Sequence, residues 1–177
     1  MKAYLTSIGE QTTDLCKLQL EKFGFDVKVL DEKEDWPTKY KRFIDTANED
    51  CLRIDADVIL FNDKVKLAFN AQMPAMVQWK IIDFYTLTER VGQPVFYSKE
   101  LLEIIKKLPV NNFRPETSMW RNPEVMKHTH NINEIVALHG FWQSKQDMKR
   151  AKDNRIARVH NYDQELVDIL NKLNDTR

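Results

Sequence analysis

The sequence predicts an α/β domain with a central, mostly parallel sheet flanked by helices. Three observations predict it. Residues 2–60 alternate strand and helix signals as βαβαβ, the half-unit of nucleotide-binding sheets. Cys51 to Leu60 (Cys-Leu-Arg-Ile-Asp-Ala-Asp-Val-Ile-Leu) runs apolar up to a pair of aspartates and resumes just past them, as a buried strand of a parallel sheet does. Finally, the 177 residues are 42% hydrophobic and 31% charged, enough for one domain, 1–177, to bury a core without disulfides or metals.

That balance excludes a disordered chain. Formal net charge is zero and the Lys and Arg residues are spread out, so no nucleic-acid footprint or basic membrane anchor is expected. The apolar run after Met1-Lys2 is too brief for a signal peptide, and no stretch reaches transmembrane length. Cys16 and Cys51 fall in a predicted helix and a predicted strand. They read as reduced core thiols of a cytoplasmic protein.

Lys2 to Thr6 is the first strand, followed by the polar loop Ser7-Ile8-Gly9-Glu10, whose glycine permits close backbone approach. Thr12 or Thr13 caps a helix bearing Leu15, Leu18 and Phe23, and Gly24 stops it. Phe25 to Leu30 alternates as a strand. Pro37 suits the first turn of the next helix, where Tyr40, Phe43, Ile44 and Ala47 share one face. The Asp55/Asp57 strand completes this half, residues 1–60. In residues 61–177 the alternation weakens. Ala75 to Phe84 and Pro94 to Tyr97 read as strands, with an antiparallel arrangement open to them. Ser98 caps a helix ended by Pro109. Arg114 to His130 reads as loop and short helix, Glu134 to Leu138 as a strand, and about 143–156 and 163–173 as two closing helices. In the second of these Leu166, Val167, Ile169, Leu170 and Leu173 make a packing face.

Chemistry concentrates at the aspartates. In extended geometry Asp55 and Asp57 leave the same face with Cα atoms about 6.6 Å apart, and Ala56 between them leaves room for a ligand. Two adjacent carboxylates raise each other's pKa unless a cation intervenes, and Mn²⁺ or Mg²⁺ suits such oxygen ligands. The plainer alternative is a pair of solvated turn aspartates. No Gly-x-Gly-x-x-Gly follows the first strand and no Gly-Lys-Ser/Thr occurs, which disfavours dinucleotide and P-loop folds.

The Thr-Ser-Ile-Gly-Glu loop, the helix with Lys39, Lys41 and Arg42, and Leu52-Arg53-Ile54-Asp55-Ala56-Asp57-Val58-Ile59 together resemble nucleotide-sugar glycosyltransferases of the GT-A fold, most clearly over residues 2–60. The resemblance implies a metal-dependent transfer of a sugar from a nucleotide-diphosphate donor, a UDP-sugar by preference, to an acceptor it does not name. It implies that Asp55 and Asp57 hold diphosphate and metal, with Asp57 the direct ligand, and that Thr6, Ser7 and Gly9 face base and ribose. It assigns Lys41 to the nucleotide and His139 to the metal shell. An inverting transfer also needs a carboxylate base, for which Glu116 and Glu134 both stand open. The chain is short for such an enzyme, so a homo-oligomer is one way to complete an acceptor site.

The same Asp-x-Asp also resembles the first motif of haloacid-dehalogenase-like phosphohydrolases, but here it falls on the third predicted strand without a later acidic pair. A non-catalytic module that binds a nucleotide or partner is the third reading. His128-Thr129-His130 lacks zinc spacing. The basic run Lys145 to Arg158 is a solvated helix face or closes over a diphosphate through Arg150 or Arg155. Trp120 and Trp142 are core residues or sugar-stacking platforms.

Overall fold

A computed structural model describes residues 1–7, 9–31, 34, 36–71, 74–84, 87–109 and 115–140. The elements in order are β1 (Lys2–Thr6), α1 (Thr13–Lys22), β2 (Asp26–Leu30), α2 (Trp36–Thr46), β3 (Cys51–Asp55), β4 (Val58–Leu60), a 3-10 helix (Lys64–Asn70), β5 (Met76–Asp83), β6 (Glu89–Tyr97), α3 (Lys99–Ile105), α4 (Pro115–Trp120), α5 (Pro123–Met126) and β7 (Thr129–His139). The expected closing helices, with Trp142, Arg150 and Arg155, lie outside the described residues.

The strands form one sheet in the order β2-β1-β3-β6-β5-β7-β4. β1 pairs in parallel with β2 and β3, and β5 with β7, whereas β3–β6, β5–β6 and β4–β7 are antiparallel. The sheet is therefore mixed rather than mostly parallel. The physical reason is the short link 84–88, which leaves no room for the crossover a parallel pair requires. β6 returns beside β5 and pairs with β3, so β1, β2, β3, β5 and β7 all point one way. Their C-terminal residues, Thr6, Leu30, Asp55, Asp83 and His139, end on one edge.

The run from Cys51 to Leu60 is not one strand. It breaks at a turn, Ala56-Asp57, and β4 pairs not beside β3 but with β7, matching Val58 to His139 and Leu60 to Ala137. In a flat sheet β3 and β4 would stand four spacings, about 19 Å, apart. The chain from Asp55 to Val58 spans at most about 10 Å. The sheet is consequently curled, bringing its far edge back to the end of β3.

Alternation along the strands splits the core into two layers. Ala3, Leu5, Leu52, Ile54, Val77, Trp79 and Phe96 pack on the side of α1 and the 3-10 helix. Tyr4, Cys51, Met76, Val95 and Tyr97 face α2, α3, α4 and α5. α2 buries Tyr40, Phe43, Ile44 and Ala47, the face its spacing predicts. The Phe43 ring sits 5.3 Å from Tyr4 and 5.4 Å from Tyr97, joining β1 to β6 through the helix. Ser98 caps α3, its hydroxyl accepting from Leu101 N and Ala75 N. β7 starts at Thr129, five residues before the strand its hydrophobic pattern predicts, because residues 130–133 are polar or exposed. Among the described residues no helix is long and apolar enough to cross a membrane.

Candidate active site

The site is built where β1 and β3 end. Thr6 and Asp55 are register partners, and the Thr6 hydroxyl donates to Asp55 Oδ1 at 2.5 Å. Beyond Thr6 the loop to α1 is tied down from within. Ser7 Oγ bonds Glu10 Oε2 at 2.8 Å and Thr13 Oγ1 at 2.7 Å, and accepts from Gly9 N at 3.0 Å. Gly9 has φ +95° with open space where a Cβ would stand, so the turn needs glycine for its backbone conformation rather than for room. Thr12 precedes α1, but its hydroxyl does not cap the helix. It donates to the Ala56 carbonyl at 2.5 Å, which Cys16 Sγ also reaches at 2.9 Å. The first turn of α1 thus grips the Ala56-Asp57 turn. Ala56 itself is fully buried in the core, so its small side chain serves packing.

Because of that turn, Asp55 and Asp57 do not share a strand face. Asp55 Oδ1 also takes Arg53 Nη2 at 2.6 Å. Arg53 is wholly buried, its guanidinium 5.5 Å from the Tyr40 ring centroid, and its Nη1 pairs with Glu116 Oε1. Gln93 Nε2 donates to the same oxygen at 2.6 Å. Burial pushes the Glu116 carboxyl up, and Arg53 opposes that shift. Asp57 turns to β7 instead. Its Oδ2 lies 3.6 Å from His139 Nε2, its side chain is 3% exposed, and Gly140 N donates to its carbonyl at 3.0 Å. Burial first, then Asp55 and Glu10, push Asp57 up to about 7.

His139 Nδ1 lies 3.2 Å from Asp83 Oδ2 and 2.6 Å from Arg90 Nη2. Arg90 also pairs with Asp83 at 3.1 Å. Burial, then Arg90, lower the His139 pKa, with Asp83 opposing, which favours the neutral ring.

Thr6, Ser7, Gly9, Asp55, Asp57 and His139 therefore converge on one edge, and Glu116 reaches them through Arg53. Lys41 does not. It faces solvent and pairs with Asp45 at 2.6 Å, while Lys39 is buried and donates from Nζ to the Ser7 carbonyl. Two residues apart on a helix, the two lysines point to different sides. Glu134 pairs with Lys64 on a separate part of the surface. Sequence reasoning also passed over Asp83, although an aspartate closing a predicted strand was a usable signal. Arg90 offered none. Among the described residues no group of three or more His, Cys, Asp or Glu side chains is set to hold a metal.

No protein-family model matches the sequence, and no curated protein shows a significant match. Solved structures do share the fold. A197 from STIV superposes with TM-score 0.61 at 15% identity, covering 79% of this chain and 85% of that one. HddC from Yersinia pseudotuberculosis, complexed with GMP-PN, gives 0.54 at 10%, covering 87% and 99%. A protein described as a glucose-1-phosphate thymidylyltransferase from Bacillus anthracis, in complex with sucrose, gives 0.52 at 15%, covering 92% and 78%. At such identities the likeness establishes the fold alone. It is an α/β fold with a mixed, curled sheet flanked by helices.

Proposed function

We propose that the chain binds a nucleotide at the C-terminal edge of its five co-directional strands and transfers a group from it, with a sugar nucleotide as donor. The observation that carries this reading is the meeting of Asp57 and His139, distant in sequence, at 3.6 Å beside Asp55 and the loop after β1. In open α/β sheets ligands bind outside the carboxyl ends of the strands, and the fold is shared with HddC, solved with GMP-PN, which supports a nucleotide as the class of ligand.

A divalent cation fits the donor set in one limited way. Mn²⁺ and Mg²⁺ commonly use one or two protein ligands and complete their shell with substrate phosphates and water, which suits a pair rather than a preformed cage. Asp57 and His139 would supply the protein ligands. Arg90 and Asp83, both in reach of Nδ1, would fix the ring with Nε2 toward Asp57. Bound there, the cation would supply Lewis-acid stabilisation of a diphosphate leaving group.

The rest falls to the chain's own groups. Lys39 anchors the Ser7 carbonyl and so shapes the loop against which base and ribose would lie. Glu116 is committed to Arg53 and Gln93 and acts as a positioning residue, holding Arg53 on Asp55, rather than as a free base. Glu134, away from this edge, has no part in the reading. Asp55 is already gripped by Thr6 and Arg53, which argues against a phosphohydrolase nucleophile. Buried unpaired thiols at Cys16 and Cys51 suit the reducing cytoplasm.

A second reading, nucleotidyl transfer to a sugar phosphate, is favoured by the fold shared with the thymidylyltransferase-like protein. Product analysis separates the two. Glycosyl transfer or slow hydrolysis of UDP-, GDP- or dTDP-sugars with Mn²⁺ releases the nucleoside diphosphate. Nucleotidyl transfer from a nucleoside triphosphate and a sugar 1-phosphate releases pyrophosphate. Neither product would leave the non-catalytic module.

A further inference from the structure

Asp55 and Asp83 close β3 and β5, and Asp57 follows Asp55 in the turn. A diphosphate arriving at this edge therefore meets three acidic side chains, and a divalent cation offsets only part of their charge. The chain's own cations differ in what they can add. Arg53 is wholly buried and shared by Asp55 and Glu116. Lys39 is 1% exposed and donates to the Ser7 carbonyl. Arg90 is placed otherwise. Its side chain is 47% exposed, yet it stands at the same edge, because β6 runs antiparallel to β5 and begins where β5 ends.

The hairpin that carries Arg90 is tied at Asp83, whose N–H donates to the Thr88 carbonyl at 3.0 Å and whose carbonyl accepts from Leu87 N at 2.9 Å. Within the guanidinium one nitrogen, Nη2, makes the contacts. It lies 3.1 Å from Asp83 Oδ2, 2.6 Å from His139 Nδ1 and 3.1 Å from His139 Nε2. Among the described residues Nη1 and Nε have no hydrogen-bond partner. The guanidinium holds its N–H donors in one rigid plane, so fixing Nη2 orients the rest for an anion such as phosphate. Its charge also reaches Asp57, whose carboxyl it pulls down. We propose that Arg90 binds a phosphate group of the nucleotide through Nη1 and Nε, while Nη2 stays on Asp83 and His139. This rests on the nucleotide reading of the edge and goes beyond it by naming the residue and the group it takes.

Calorimetric titration of the full chain with UDP, GDP, CDP and dTDP, each with Mn²⁺, tests it. Arg90→Gln should weaken the tightest of these by about ten-fold or more, the loss of a hydrogen bond to a charged group. Arg90→Lys keeps the charge without the planar fork and should weaken it by about three-fold at most. Equal binding by Arg90→Gln and the unchanged chain would overturn the proposal and leave the nucleotide site standing. Binding by Arg90→Lys as weak as by Arg90→Gln would overturn it too. In that case what matters is the grip of Nη2 on His139 and Asp83, not a charge facing the ligand. No binding by the unchanged chain would take down the nucleotide reading of the edge, and Arg90's part with it.

Discussion

Asp57 is the residue on which most depends. Its carboxyl is held up to about 7 by burial, Asp55 and Glu10, against an ordinary value near 4. The folded protein therefore binds this proton more tightly than the unfolded chain does. The resulting contribution to stability is full below about pH 4, is lost as pH rises toward 7, and changes no further above that. Asp57→Asn removes the dependence. It should stabilise the ligand-free protein at pH 8 by about 2–4 kcal/mol, with no gain at pH 4, in urea melts across that range. A stabilisation that does not vary with pH would contradict the electrostatic account of the pocket. Arg53 presents the opposite case, a buried cation shared by two carboxylates. Arg53→Met would leave Glu116 buried without its cation, and breaking such a pair costs about 3–5 kcal/mol. Chemical denaturation measures that directly, and a loss below about 1 kcal/mol would show that water reaches Glu116.

Among the elements, α2 shows what a helical pattern reveals and what it hides. The stripe Tyr40, Phe43, Ile44 and Ala47 is legible and packs as its spacing requires. Which lysine turns inward is not, since only the placement of Ser7 decides between Lys39 and Lys41. Lys39→Met should weaken binding of the nucleoside diphosphate at least ten-fold by calorimetry, because the Ser7 carbonyl loses its anchor. Lys41→Met should change neither binding nor stability by more than about 0.5 kcal/mol, as usual for an exposed pair. The reverse ranking would restore Lys41 to the nucleotide. The break at Ala56-Asp57 was hidden for a related reason. Val58, Ile59 and Leu60 continue the apolar run as if the strand went on, and only their pairing with β7 pulls them aside. β7 itself was half legible, since its core-facing end carries Val136 and Leu138 while its first residues lie at an open edge.

At the scale of the molecule, the curled sheet makes the site. Strand order carries β4 to the far edge, curling returns that edge to the end of β3, and His139 arrives beside Asp57. The first βαβαβ half and the loop after β1 could be read from period and turn residues. Contacts such as Arg53 with Glu116, Asp83 with His139 and Asp57 with His139 could not, because they depend on strand order and not on local pattern. In the function proposed above, this edge takes a nucleotide together with a divalent cation. The most direct measurement is the thermal unfolding of the full chain with UDP, GDP, CDP or dTDP, with and without Mn²⁺, alongside Asp57→Asn. Ligand at about 100 times its Kd adds about 2.7 kcal/mol to the folded state, a rise of a few degrees for a chain of this size. A rise is expected for at least one nucleotide, only with Mn²⁺ present, and is lost in Asp57→Asn. No rise with any nucleotide and Mn²⁺, or the same rise in Asp57→Asn, would contradict it.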